Sequence, residues 1–403
     1  MRFALAVFGS RGDAQPLVAL GLALRDAGHQ ALVCAPSDFQ EFVEQRGLPF
    51  RALLHDFGQR LAATGTNPLA LLSHMRVAVQ EQFAELPAAV AGADALVAAG
   101  AIVAGRTVAE TLRIPFRYVA FCPRMLRSRF HASPAVSWNE APRALNAATW
   151  RVNDWMWNLV ARRLVNGYRA RAGLEPVRST FDSSVTADPV LAADPWLAPP
   201  PADVSAGVEQ TGTWRLRDET PLPADVEGFL AAGEPPALVG FGSMPDEEAG
   251  RTLRLVLDAI ESTGVRALVS RGIAGIGEQT LPATVLAVGP LNHERLLPRL
   301  AAFVHHGGAG TTHAAAFAGV PQVVVPHTLD QHYWGWRVHR LGLGPRPIPR
   351  SRLAAGRLAA ALRTCLAEEA LRRRAKEARA RLVPDGVERA ARVLVEWAQR
   401  SGR

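Results

Sequence analysis

Residues 301–316 read AAFVHHGGAGTTHAAA, an apolar strand that runs into two histidines and a glycine-rich turn before two threonines open a helix of small residues. Gly307, Gly308 and Gly310 remove the β-carbons that would hold a ligand away from the backbone, and Thr311 and Thr312 stand where the first helical N–H groups lack partners. Free amides and the helix dipole make such a turn an anion pocket, to which a histidine or a threonine hydroxyl adds a donor. A second glycine turn, GFGSMPDEE at 240–248, ends another strand and offers the Ser243 hydroxyl. Two such turns at the carboxyl ends of strands in one half of the chain suit a diphosphate better than either does singly. The plainer alternative for the first turn alone is a tight strand-to-helix connection whose histidines are satisfied locally.

The elements that must position these turns alternate along the chain. RFALAVFG is a buried strand ending in glycine, QPLVALGLALRDAGH repeats apolar residues at helical spacing, and QALVCAP and LPFRAL are further strands. Alternation of this kind predicts parallel sheets covered on both faces. An internal echo supports two similar halves: ADALVAAG, a helix, a proline stop and FRYVAF in the first match AAFVHHGG, a helix, a proline stop and QVVVPH in the second. Between them, the proline-rich stretch around DPWLAPPPADVSAGVEQTGTW reads as a connection. The expected fold is therefore α/β, with two Rossmann-like doubly wound domains. The first spans 1–205, a linker 206–224, the second 225–386, and a helix over 387–403 packs back on the first.

Composition excludes several chemistries. A chain of 403 residues fits two domains of roughly 200 residues each. The formal charge is +8, but of the 45 basic residues only Lys376 is lysine and the arginines are spread along the chain, so no nucleic-acid face is expected. A Walker-type loop and a pyridoxal Schiff base both need a positioned lysine, which is missing. Cys34, Cys122 and Cys365 follow no metal-ligand or disulfide spacing. No apolar run reaches the ~20 residues of a membrane span, and the N-terminal stretch meets Gly, Arg and Asp too early for a signal peptide, so a cytoplasmic location is expected.

The segment FVHHGGAGTTHAAAFAGVPQVVVPHTLDQHYWGWRVHRLGLG over 303–344 resembles the donor signature of the family-one inverting glycosyltransferases of GT-B fold, closest to the actinobacterial branch that glycosylates antibiotics, lipids and other secondary metabolites, with the glycolipid and sterol glycosyltransferases. FGSRGDAQPLVALGLALRDAGH at 8–29 and TGTW before GFGSM resemble the same branch, and the likeness covers most of the chain outside about 55–90 and 122–180. The resemblance implies two domains facing across a cleft and a nucleoside-diphosphate sugar, with uridine or thymidine, as co-substrate and no other cofactor. It implies that His305, favoured over His306 by a His-x-Gly spacing, contacts the diphosphate with the amides of Gly308, Gly310 and Thr311. Leu291 and His293 fall where the family holds its nucleobase and ribose, and Asp330 and Gln331 where it holds the sugar hydroxyls.

Many members place a histidine base near the end of the first strand. This chain has GSRGDAQP there, and similar branch members carry aspartate, so the resemblance implies Asp13 as the base. A free carboxylate is a weak base for an alcohol, and partial burial that raises its pKa is expected; capping of the following helix is the alternative duty. No two aspartates are spaced Asp-x-Asp, so no metal site is expected and the helix terminus does that electrostatic work. Trp138, Trp150, Trp155 and Trp157 cluster in the unfamiliar part of the first half. With Met125, Met156 and Phe130 they read as an apolar acceptor wall, or else as ordinary helix packing. The expected partners are thus a nucleotide sugar and an apolar small-molecule acceptor. A sugar-nucleotide epimerase of the same fold and a catalytically silent homologue stay open.

Overall fold

The computed structural model describes residues 1–53, 68–186, 188–204, 207–242, 248–272 and 281–401. They form two compact units, the first of Met1–Ala135, Glu140–Leu216 and Val383–Arg403, the second of Val136–Asn139 and Arg217–Leu382.

Parallel strands organise the first unit: β1 (Arg2–Phe8), β2 (Gln30–Ala35), β3 (Phe50–Ala52), β4 (Ala95–Gly100), β5 (Phe116–Ala120), β6 (Val190–Leu191) and β7 (Glu209–Gln210). Their order is β3-β2-β1-β4-β5-β6-β7. Strand β1 is apolar and buried from Phe3 to Phe8, as a strand covered on both faces must be. Phe3, Leu5 and Val7 point to one layer, which also holds Leu17, Leu20 and Leu24 of the helix Arg11–Asp26. Ala4, Ala6 and Phe8 point to the other, with Leu86 and Val108. The C-terminal helix Gly386–Ser401 belongs to this unit and places Ala390, Ala391 and Leu394 in the first of those layers.

The second unit repeats the plan with β8 (Ala237–Gly240), β9 (Ala267–Ser270), β10 (Val285–Val288), β11 (Ala302–His305) and β12 (Gln322–Val324), ordered β10-β9-β8-β11-β12 and parallel throughout. In each sheet the chain moves outward from a central strand to one side and then returns to fill the other. The order reverses between β1 and β4 and between β8 and β11, and ligands of doubly wound sheets bind at the carboxyl ends of such strands. Asp13, the turn after β11 and residues 240–242 at the end of β8 lie there.

Candidate active site

At the first reversal β1 ends in Gly9 and Ser10, and Ser10 caps a helix that starts at Arg11, five residues before Pro16. The Ser10 hydroxyl accepts from Gly12 N–H at 3.2 Å, while Asp13 Oδ2 accepts from Ser10 N–H at 2.8 Å and from the Ser10 hydroxyl at 3.1 Å. This is a reciprocal capping box, so the capping duty is real. It also fixes the carboxylate against the end of β1, where a β-carbon on Gly9 would come within 2.3 Å of Asp13 Oδ2. Burial raises the pKa of Asp13 and outweighs the lowering by the Ser10 hydrogen bonds. The neighbouring Tyr118 is also held up by burial and by the Asp13 charge, and it donates its hydroxyl to Gly100 O at 2.8 Å. Gly100 has φ 67°, and any β-carbon there would sit 2.2 Å from Phe8 O, so only glycine lets β4 end beside β1 in this way.

At the second reversal the two histidines divide. His305 closes β11, is fully buried and shares the face of Phe303, with ring centroids 4.8 Å apart. Its Nε2 lies 3.0 Å from Gln322 Oε1 and its Nδ1 accepts from Gly307 N–H at 3.1 Å, which assigns the Nε2–H tautomer. Burial, with the neighbouring His306, pushes its pKa down to about 3, which favours the neutral ring. His305, the expected diphosphate contact, is thus placed inside the core layer with both of its nitrogens engaged. His306, one residue past the strand, stands at the turn instead. β-Carbons added to Gly308 and Gly242 would come within 2.6 Å and 3.1 Å of its ring, and among the described residues its buried Nδ1 has no hydrogen-bond partner. Burial first and His327 second lower its pKa to about 4. Strand parity carried the signal: Phe303 and His305 alternate to the same packed face, and only the residue beyond the last ladder pair emerges at the sheet edge.

The helix Ala309–Ala318 follows, with Gly308 at its N-cap; Thr312 is buried and returns its hydroxyl to Gly308 O at 2.9 Å. Gly310 is exposed, with nothing among the described residues within 4 Å of an added β-carbon, and Thr311 is half-buried beside it. The first turn of this helix therefore leaves its amides without helical partners on an exposed face. Gly307 has φ 91°, and a β-carbon there would meet Val324 and, at 3.0 Å, Gln331 O. The turn is thus packed directly against the start of the helix Gln331–Arg340. Gln331 Oε1 accepts from the N–H groups of His327 at 2.8 Å and Thr328 at 3.1 Å, and Asp330 Oδ2 accepts from Trp334 Nε1 at 3.0 Å. Leu329, between them, is exposed in a left-handed conformation, φ 50°, a strain that tends to mark functional loops.

His293 stacks edge-on to Phe303 with centroids 5.7 Å apart, and its charge helps depress His305. Half-buried Leu291 packs on the same layer. Between them Asn292 caps a short helix and donates to Asp218 O and Thr220 O. The structure therefore gathers His293, His306, Gly308, Gly310, Thr311, Asp330 and Gln331 around the end of β11. Ser243 lies outside the described residues.

The tryptophan cluster does not form one wall. Trp150 is core, Trp155 is 65% exposed on the outer side of its helix, and Trp138 groups with the second unit, where its neighbour Asn139 donates to His332 O at 3.0 Å. Met125 is half-buried in the turn after β5, at the carboxyl edge of the first sheet. Among the described residues no group of three or more His, Cys, Asp or Glu side chains is placed to hold a metal, and no helix is long and apolar enough to cross a membrane.

Two doubly wound units, one ending its central strand in a held carboxylate and the other in an open amide turn, define the GT-B class of glycosyltransferase. Comparison with known proteins specifies the family. Residues 3–130 match the glycosyltransferase family 28 N-terminal domain and residues 267–391 the C-terminal domain of erythromycin biosynthesis protein CIII-like proteins. The chain is 38% identical to the vancomycin aglycone glucosyltransferase of Amycolatopsis orientalis over 99% of its own length and 98% of the relative's. It is 37% identical to the dTDP-epi-vancosaminyltransferase of the same organism, with 92% and 91% covered. The solved glycosyltransferase of kitacinnamycin superposes with a TM-score of 0.77 at 18% identity, covering 98% of both chains, and shares the fold. The protein belongs to the family-one GT-B glycosyltransferases, in the branch of the actinobacterial antibiotic enzymes.

Proposed function

We propose that this glycosyltransferase moves a hexose, or a deoxyhexose, from a UDP- or dTDP-sugar to a hydroxyl of an apolar small-molecule acceptor, inverting the anomeric carbon and using no metal. The acceptor oxygen attacks the anomeric carbon from the face opposite the diphosphate. Its proton passes to Asp13, the bond from that carbon to the phosphate oxygen breaks, and the nucleoside diphosphate leaves with the electron pair. His306 and the amides of Gly308, Gly310 and Thr311 receive the growing charge on the leaving group. Asp330 and Gln331 meet the sugar, and Leu291 and His293 flank the nucleoside. Met125, at the carboxyl edge of the first sheet, meets the acceptor.

The observation that carries this reading is Asp13, locked by Ser10 at the end of β1 with its pKa raised by burial, in the same chain as a helix start whose glycine turn is exposed at Gly310. The relatives named for an antibiotic aglycone and a dTDP-sugar support the choice of substrates. Mass spectrometry of products from UDP- and dTDP-sugars with polycyclic and peptidic aglycones, run with and without EDTA, tests it. A new glycoside whose anomeric configuration is opposite to the donor's, formed in chelator, is expected. Metal-restored activity would overturn the metal-free mechanism, and donor turnover without acceptor would favour the epimerase.

A further inference from the structure

The helix Arg143–Trp157 is amphipathic the wrong way round. Its inner face is polar: Asn146, Thr149 and Asn153 are all at least nine-tenths buried beside Trp150. Hydrogen bonds fasten that face. Asn146 Nδ2 donates to Arg129 O at 3.0 Å, Thr149 Oγ1 accepts from Ser133 N–H at 2.9 Å, and Trp150 Nε1 donates to His131 O at 3.2 Å. Its outer face is apolar. Leu145, Val152, Trp155 and Met156 stand exposed, and Leu159 continues the stripe one turn on. Among the described residues ten large hydrophobics are exposed, and five of them lie on this one ridge, which therefore is a patch and not scatter.

The surroundings of the ridge choose its partner. Residues 143–163 carry exposed Arg143, Arg151, Arg162 and Arg163 against one acid, Asp154, whose carboxylate is taken by Arg127 at 2.5 Å. From Leu145 to Leu159 the stripe runs about 21 Å along a convex helix, whereas small molecules bind in concave sites. A second copy docking by the same face would set arginine against arginine. An apolar ridge bearing tryptophan and rimmed by arginine matches the boundary between acyl chains and anionic headgroups. We propose that this helix docks the protein reversibly on an anionic lipid surface, with Val152, Trp155 and Leu159 in the acyl boundary and Arg151, Arg162 and Arg163 on the headgroups. This holds whether or not the donor assignment stands.

Co-sedimentation of the full chain with vesicles of phosphatidylglycerol and phosphatidylcholine, compared with phosphatidylcholine alone, tests the proposal. Binding to the anionic vesicles is expected, lost as sodium chloride rises from about 0.05 M to about 0.5 M. Val152→Ser with Leu159→Ser is expected to weaken partition at least tenfold with unchanged melting, because both side chains are exposed. Arg151→Gln with Arg162→Gln should weaken it on anionic vesicles only. Failure to sediment with anionic vesicles, or binding indifferent to both double variants, would overturn the proposal. So would a dimer in gel filtration that Val152→Ser with Leu159→Ser abolishes, or a raised KM for a water-soluble acceptor in vesicle-free assays of that variant.

Discussion

Asparagine at position 13 keeps nearly the shape of Asp13 and can still accept from the Ser10 N–H, but it cannot take a proton. Turnover of Asp13→Asn should fall by about 100-fold to 10,000-fold while nucleotide affinity barely moves. Calorimetry and chromatography on the same variant check this, and near-normal turnover would remove Asp13 from the mechanism. The wild-type pH profile carries a linked expectation. As the proposed base, Asp13 must be ionised to act, and burial raises its pKa above the ordinary 3.8, so activity should fail at a higher pH on acidification than a free aspartate would allow. The paired histidines separate by a different readout. His306→Ala should weaken nucleoside-diphosphate binding and leave the fold intact. His305→Ala strands the Gly307 N–H and leaves Gln322 Oε1 unpaired in the core layer, a cost of about 1–3 kcal/mol for each group. If His305→Ala instead abolished binding without lowering the melting temperature, the assignment would return to His305.

The glycine turn is tested as an element by Gly310→Val. Because a β-carbon at Gly310 meets nothing among the described residues within 4 Å, the variant should fold with at most the modest loss of a β-branched residue near a helix start. It should nevertheless remove the thermal stabilisation that nucleoside diphosphate gives the wild type, since the side chain enters the space over the amides. A retained thermal shift would place the diphosphate elsewhere. The same turn shows what the sequence made legible. Strand, glycine turn and small-residue helix at 302–318 are local features, written in periodicity and φ requirements, and they stand where expected. The choice between adjacent histidines depended on the parity of β11 against its neighbours, which short apolar strands do not reveal on their own. The inverted helix at 143–157 was harder still. Tryptophans look like core by composition, and which helix face meets the protein is decided by partners such as Arg129 O and His131 O, far from any pattern within the helix. The helix begins at Arg11, ahead of the amphipathic stretch that opens at Gln15, because the Ser10 capping box sets its start and leaves Pro16 inside it.

At the scale of the molecule, the two units have separate apolar layers, and the first is closed by a segment from the far end of the chain. Leu394 of the C-terminal helix is fully buried in the layer that also holds Leu17 and Leu20 of the helix after Asp13. Leu394→Ala should therefore cost about 2–5 kcal/mol, all of it in the first unit. The glycine turn proposed for the nucleotide follows β11, which pairs with β8 and β12 of the second unit, so nucleoside-diphosphate affinity of this variant should stay near that of the wild type. Differential scanning calorimetry with and without the nucleotide resolves the two effects. The variant is expected to lower a transition belonging to the first unit, and the ligand to raise one belonging to the second by mass action. A single cooperative transition that both the substitution and the ligand displace would instead make the protein one folding unit, in which damage at Leu394 must reach the donor turn as well.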